Sequence, residues 1–215
     1  MNVQQRPIRR LIGGPPVLVL ALALAGCSAD PPPEVVTRSS VPDAAGDVLV
    51  GGLGSAPEGV AAAPENAITD IISTTIEHGA EVVTFEVVFK DLRPGQYLDL
   101  TARVRTDATG SRLPTQVSAL AYRGKDRVDV YDSGASRCAG AAVTVDYGAN
   151  TLTMTVPRRC LDDPRWIEAE VRAATMVYHA PPDDPRANAV WEDDAYQADH
   201  PESAPRGTSP RLHHP

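Results

Sequence analysis

The chain has 215 residues, 20 Lys and Arg against 28 Asp and Glu, a formal net charge of −8 and only 5% aromatic residues. An acidic chain with no basic stripe has nothing to neutralise phosphates, which excludes nucleic acid as a partner. Lys90 and Lys125 are the only lysines among those 20 cations, a bias that, with the abundant Ala, Pro and Gly, fits a high-GC bacterial genome.

The first ten residues carry Arg6, Arg9 and Arg10 and no acid, which suits the negative inner face of a membrane. Val17 to Leu24 is an apolar core, far shorter than the roughly 20 residues that span a bilayer. Gly13-Gly14-Pro15-Pro16 would interrupt a spanning helix at one end. Leu24-Ala25-Gly26-Cys27 ends the stretch and resembles the lipobox of bacterial lipoprotein precursors. The resemblance implies cleavage after residue 26, diacylglycerol and palmitate-type acyl chains on Cys27, and a location on the extracytoplasmic face of the cell membrane. The competing readings are an ordinary cleaved signal, or a short buried helix with a chance cysteine.

Cleavage removes three arginines and no acid, leaving 17 basic and 28 acidic side chains, a net of −11. Two further cysteines remain, Cys138 and Cys160. Outside the membrane an even pair reads as a disulfide. A separation of 22 residues corresponds to about 3 kcal/mol of stabilisation through the unfolded state. The alternative is a metal-binding or catalytic thiol, although no His or Cys lies near either residue at ligand spacing.

Residues 27–66 read as a tether: Pro31-Pro32-Pro33 is stiff, and Gly46 to Gly54 and Ala61 to Pro64 are small and flexible. Val48, Val50 and Leu53 leave room for part of it to pack. From Ile68 the pattern has period two. Ile68–Glu77 reads as a strand, His78-Gly79-Ala80 as a turn, and Glu81–Lys90 as a second strand with Val83, Phe85, Val87 and Phe89 on one face. Val82 and Val88 on the other face mark that strand as central. After the Arg93-Pro94-Gly95-Gln96 turn, Tyr97–Thr106 alternates again. Thr115–Arg123 with Arg127–Asp132, and Ala142–Tyr147 with Thr151–Val156, read as hairpins. Cys160–Trp166 is a tight connection of about one helical turn, and Ile167–Tyr178 is the last strand.

Short strands with turn signals every 8–12 residues indicate an all-β fold: a single antiparallel sandwich, jelly-roll-like, of about eight strands with one disulfide. The division is signal peptide 1–26, tether 27–66, sandwich 67–180 and polar, Pro-rich tail 181–215. Within the tail, 180–196 reads as a loop on the sandwich and 197–215 as largely disordered.

Three segments carry a resemblance. Asp43-Ala44-Ala45-Gly46-Asp47 precedes Asp70-Ile71; Cys138-Ala139-Gly140 forms a turn; and Val156-Pro157-Arg158-Arg159-Cys160-Leu161 is followed by Pro164-Arg165-Trp166. Together they resemble secreted and lipid-anchored β-sandwich proteins of high-GC Gram-positive bacteria, similar in outline to DOMON-type and carbohydrate-binding-module jelly rolls. The resemblance covers about 43–178 and departs from the compact form in the long spacer 48–67.

Asp43, Asp47 and Asp70 offer hard oxygen donors suited to Ca²⁺, and in similar sandwiches an N-terminal acidic turn can hold a structural calcium; no other cofactor is expected. The competing reading is turn chemistry, since Asp and Gly recur where chains bend. Asp183, Asp184, Glu192, Asp193 and Asp194 read as a solvated acidic loop. Trp166, Trp191, Tyr122, Tyr131 and Tyr147 are the candidates for a sugar-stacking platform. No nucleophile elbow, zincin helix, P-loop or paired His/Cys arrangement is present. The expectation is a non-catalytic, monomeric module that binds a protein or a cell-envelope glycan. An envelope sugar- or lipid-modifying enzyme and a structural spacer are the alternatives.

Overall fold

A computed structural model describes residues 35–52, 60–109, 113–131, 135–136, 138–176, 189–196 and 207–215. Cys27 and the segment 1–26 expected to be a signal peptide lie outside these residues. The elements are β1 Arg38–Pro42, β2 Leu49–Gly52, β3 Ala61–Ala62, β4 Ile71–His78, β5 Val82–Phe89, β6 Tyr97–Thr106, β7 Thr115–Ala121, β8 Arg127–Tyr131, β9 Ala135–Ser136, β10 Ala142–Asp146, β11 Thr151–Pro157, β12 Trp166–Met176, β13 Ala189–Asp194 and β14 Leu212–His213. A single 3-10 turn, Arg158–Leu161, joins β11 to β12. No helix among the described residues is long and apolar enough to cross a membrane.

The strands form two antiparallel sheets. The first has the order β1-β4-β5-β11-β10; the second runs β3-β2-β13-β12-β6-β7-β8-β9, with β14 also paired to β12. The chain changes sheet at β5→β6 and at β11→β12, and both arms of those crossings pair: β5 with β11 in one sheet, β6 with β12 in the other. As its two apolar faces imply, β5 is central, flanked by β4 and β11.

Strict alternation sends every second side chain into one core. The first sheet contributes bulk: Ile71, Ile76, Phe85, Val87, Phe89, Leu152 and Met154 are all at most 1% exposed. The second intersperses small side chains, Ala102, Ala119, Ala121, Ala169 and Ala173, among larger ones such as Leu100, Val104, Val117, Ile167 and Val171. Large groups on one face fill the space left by small groups on the other, the way facing layers reach interior density. On β4 the alternation slips at a bulge between Ile71 and Ser73, which buries Thr74 where a strict register would have exposed it.

The all-β sandwich holds, but the folded unit is wider than 67–180. Within the expected tether, β1 pairs with β4, β2 with β13, and β3 with β2; Val48 is fully buried. Within the expected tail, β13 and β14 both pair with β12, and Leu212 is fully buried. These strands are short, so periodicity could not announce them; each is recruited because β4 and β12 would otherwise carry unpaired backbone groups.

Cys138 and Cys160 form a disulfide with Cα atoms 6.0 Å apart. It ties the turn before β10 to the 3-10 turn after β11, and both cysteines pack on the core. Gly140 (φ +89°) closes that turn under Arg159, whose guanidinium donates to the Ala139 carbonyl. Replacing both cysteines by serine should lower stability by about 3 kcal/mol. The check is thermal or denaturant unfolding of the oxidised wild type against the double variant; equal midpoints would remove the bond from the list of stabilising constraints.

Candidate metal centre

After β1 the chain must turn from the first sheet toward β2 in the second. The Asp43 N–H donates to the Ile72 carbonyl (2.9 Å), holding the start of the turn on β4. Gly46, at φ +85°, lets the backbone reverse in the left-handed region that side chains disfavour. Its N–H points at Asp70 and lies 3.0 Å from both carboxylate oxygens. Asp70 is fully buried and also receives Lys90 Nζ on Oδ2 at 2.9 Å. A buried carboxylate needs such partners, because its charge cannot be solvated.

Asp70 thus lies outside the oxygen cluster anticipated for it. It fixes the turn from beneath and uses up the nearby ammonium. The third carboxylate comes instead from β13. Oxygens of Asp43, Asp47 and Asp193 lie within 4.8 Å of one another. That span matches two opposed oxygens each about 2.4 Å from a common ion, the distance Ca²⁺ takes. Asp193 is 2% exposed; its two oxygens accept the N–H groups of Ile71 (2.7 Å) and Asp194 (2.8 Å). Asp43 Oδ1 accepts the Ala44 N–H at 2.9 Å, while Asp43 Oδ2 is buried and accepts no hydrogen bond among the described residues.

The electrostatics follow from crowding. Burial, then the Asp47 charge, pushes the Asp43 carboxyl up to about 7. Burial raises Asp193 to about 8, with Asp47 and Asp43 adding to it and the Ile71 N–H opposing it. Next to the trio, Asp194 Oδ1 accepts the Tyr196 N–H at 3.3 Å. Burial and Asp194 together hold the Tyr196 phenol well above its ordinary range, and its hydroxyl is buried without a hydrogen-bond partner among the described residues. Clustered carboxylates of this kind can either share protons or coordinate a hard cation.

Asp193 and Asp194 correct the solvated-loop expectation: both are buried at the end of a strand. Val190-Trp191 ahead of them was the available signal of a strand. Asp183 and Asp184 lie outside the described residues. The aromatic candidates are dispersed. Trp166 pairs in register with His213 at one end of β12, and Trp191 with Thr175 at the other. Arg211 lies 4.0 Å over the Trp166 ring. Tyr122 packs beside Tyr97, ring centroids 5.9 Å apart; Tyr147 is exposed at the β10–β11 turn. A polar trough of about 200 Å³ lies on the outer face of the second sheet, lined by Thr101, Arg103, Gln116, Glu170, Arg172 and Asp194.

Comparison with protein-family models, curated proteins and solved structures finds no match.

Raised carboxyls give a definite pH dependence in chelated protein. The unfolded groups lose their protons near 3.8 and the folded ones near 7 and 8, so the folded state binds more protons between those limits. Stability from this cluster is therefore full at acid pH and falls as pH rises through about 7 to 8. The melting temperature in chelator should fall from about pH 5 to about pH 8, and Asp193→Asn should flatten that slope. A wild-type profile as flat as the variant's would contradict the clustering.

Proposed function

We propose that the chain is a lipoprotein, anchored through Cys27 to the extracytoplasmic face of the membrane. Its sandwich serves as a non-catalytic binding or accessory module for a protein or a cell-envelope glycan. A calcium ion held by Asp43, Asp47 and Asp193 forms part of that architecture. The observation that carries the reading is the convergence of these three carboxylates. A cation there would lock the first folded turn, which follows the segment leading from Cys27, to β13. Lys90 cannot do this, because it is committed to Asp70. The resemblance to lipid-anchored sandwiches with an acidic N-terminal turn supports the same reading.

The trough on the second sheet suits a hydroxyl-rich ligand better than a charged one. Its lining cations are already paired: Arg103 with Glu170 inside the trough at 3.4 Å, and Arg172 with Glu192 outside the lining at 3.2 Å. Such a surface offers donors and acceptors without a dominant field. An enzymatic reading draws on one fact, that the Asp43 and Asp193 carboxyls sit near neutrality, where a general acid works best. Asp193 is buried and already engaged with two backbone N–H groups, which favours coordination over proton transfer to a substrate.

Three measurements test the reading. Calcium at a hundredfold excess over its Kd should stabilise by about 2.7 kcal/mol, or roughly 5–10 °C in Tm, at about pH 8. The effect should shrink at about pH 5, where protons compete, and vanish in Asp193→Asn. No calcium response at either pH would remove the ion from the proposal. Cys27→Ser should shift the protein from the membrane fraction to the soluble one. Pull-down with purified wall polymer or membrane extract should then retain a partner over a tag-only control. Retention of none would leave the spacer reading.

A further inference from the structure

Residues 207–215 form a strap across one end of the sandwich. Gly207 lies so close to Tyr196 that a Cβ there would overlap the Tyr196 carbonyl. The Ser209 N–H donates to the Ala169 carbonyl (2.8 Å), and Ser209 Oγ accepts the Ala169 N–H (3.0 Å). Leu212 and His213 pair with Ile167 and Trp166. The His213 N–H donates to the Val36 carbonyl (2.7 Å), and the His214 N–H to that of Arg165 (2.9 Å). Leu212 is fully buried.

Beneath Leu212 sits His78, the last residue of β4, also fully buried. Its Nδ1 lies 3.1 Å from the Leu212 carbonyl. A carbonyl can only accept, so Nδ1 carries the proton and donates, leaving Nε2 as the bare nitrogen of a neutral ring. Nε2 is buried and has no hydrogen-bond partner among the described residues. The ring meets His214 edge to face, centroids 5.8 Å apart.

The surroundings are hostile to a second proton. Arg158 faces His78 from the 3-10 turn, and His213 and His214 face it from the strap. The N-terminal segment contributes backbone, the Thr37 carbonyl accepting the His78 N–H at 2.8 Å. The carboxylates of the neighbouring elements are engaged elsewhere: Glu77 with Arg38, Asp107 with Arg165, and Glu168 with Arg211. A cationic His78 would have no acceptor for its new N–H and no countercharge.

We propose that His78 is the pivot of an acid-released latch: protonation at Nε2 drives out the 207–215 strap and frees the backbone of β12 from Trp166 to Ala169. The sign is set by burial, which outweighs the opposing hydrogen bond to the Leu212 carbonyl and holds the His78 imidazole below its ordinary value, with Arg158 and the two strap histidines adding to burial. The released state takes up the proton first as pH falls. The latch is closed above about pH 6.5 and weakens progressively below it.

Hydrogen exchange of the full chain, read by mass spectrometry at about pH 7.5 and about pH 5 and normalised for intrinsic rates, tests this. Peptides covering 207–215 should open about tenfold more at the lower pH, while β5 stays protected. His78→Asn keeps a donor toward Leu212 but cannot take the proton, so its strap should be indifferent to pH. If that variant does not fold, NMR titration of wild-type His78 serves. Its midpoint should lie below that of an unfolded histidine and coincide with the loss of the 207–215 amide signals. Equal strap protection at both pH values, opening of β5 together with the strap, or an undiminished acid response in His78→Asn would overturn the proposal. So would a His78 titration that leaves the strap amides unmoved.

Discussion

The fold depends on the fit of a bulky sheet onto a small-residue sheet. Phe85, Phe89, Leu152 and Met154 project from β5 and β11. They need the space that Ala102, Ala119, Ala169 and Ala173 leave on β6, β7 and β12. Two bulky faces would hold the sheets apart; two alanine faces would leave cavities, each costing stability in proportion to its volume. Because β5 pairs with β11 and β6 with β12, four of the strands that carry this fit are also the arms of two crossings between the sheets. Everything else is added to the rims: β1 and β10 on one sheet, β3, β2, β13, β14 and β8–β9 on the other.

That division explains what could be read from sequence. The central strands alternate over seven to eleven residues, long enough for period two to be unmistakable, and their turns carry Gly, Pro or Asn where the backbone needs them. The 3-10 turn was visible in Cys160–Trp166 only as a tight connection. The rim strands were not legible. β2 is four residues ending in Gly51-Gly52, β14 is two residues in a polar tail, and their strand character comes from partners distant in sequence, β13 for β2 and β12 for β14. Leu212 alone, between Arg211 and His213, gives no periodic signal at all.

The acidic centre divides along the same line. Asp43 and Asp47 stood out because Gly46 lies between them in a turn. Asp70 stood out because it opens a strand, and it is tied to that turn, but as its fixed anchor with Lys90. Asp193 was hidden: in sequence it is one of several acids after Trp191, and only the antiparallel register of β13 on β12 turns it inward. His78 was read as a turn residue for a similar reason. Its burial is created by a strap 134 residues further along the chain.

The placement of the first and last segments also bears on the order in which the molecule can be assembled. β2, made early, has β13 as its main neighbour, and the Val36 carbonyl finds its donor on His213. β2 therefore waits, with one edge exposed, until β13 has been synthesised, whereas β1 finds β4 soon after it is made. Pairings of such long sequence separation form slowly, because loop closure must precede the contacts that reward it. Without residues 207–215 the central strands would keep their partners, yet the edge of β12 from Trp166 to Ala169 would lie open.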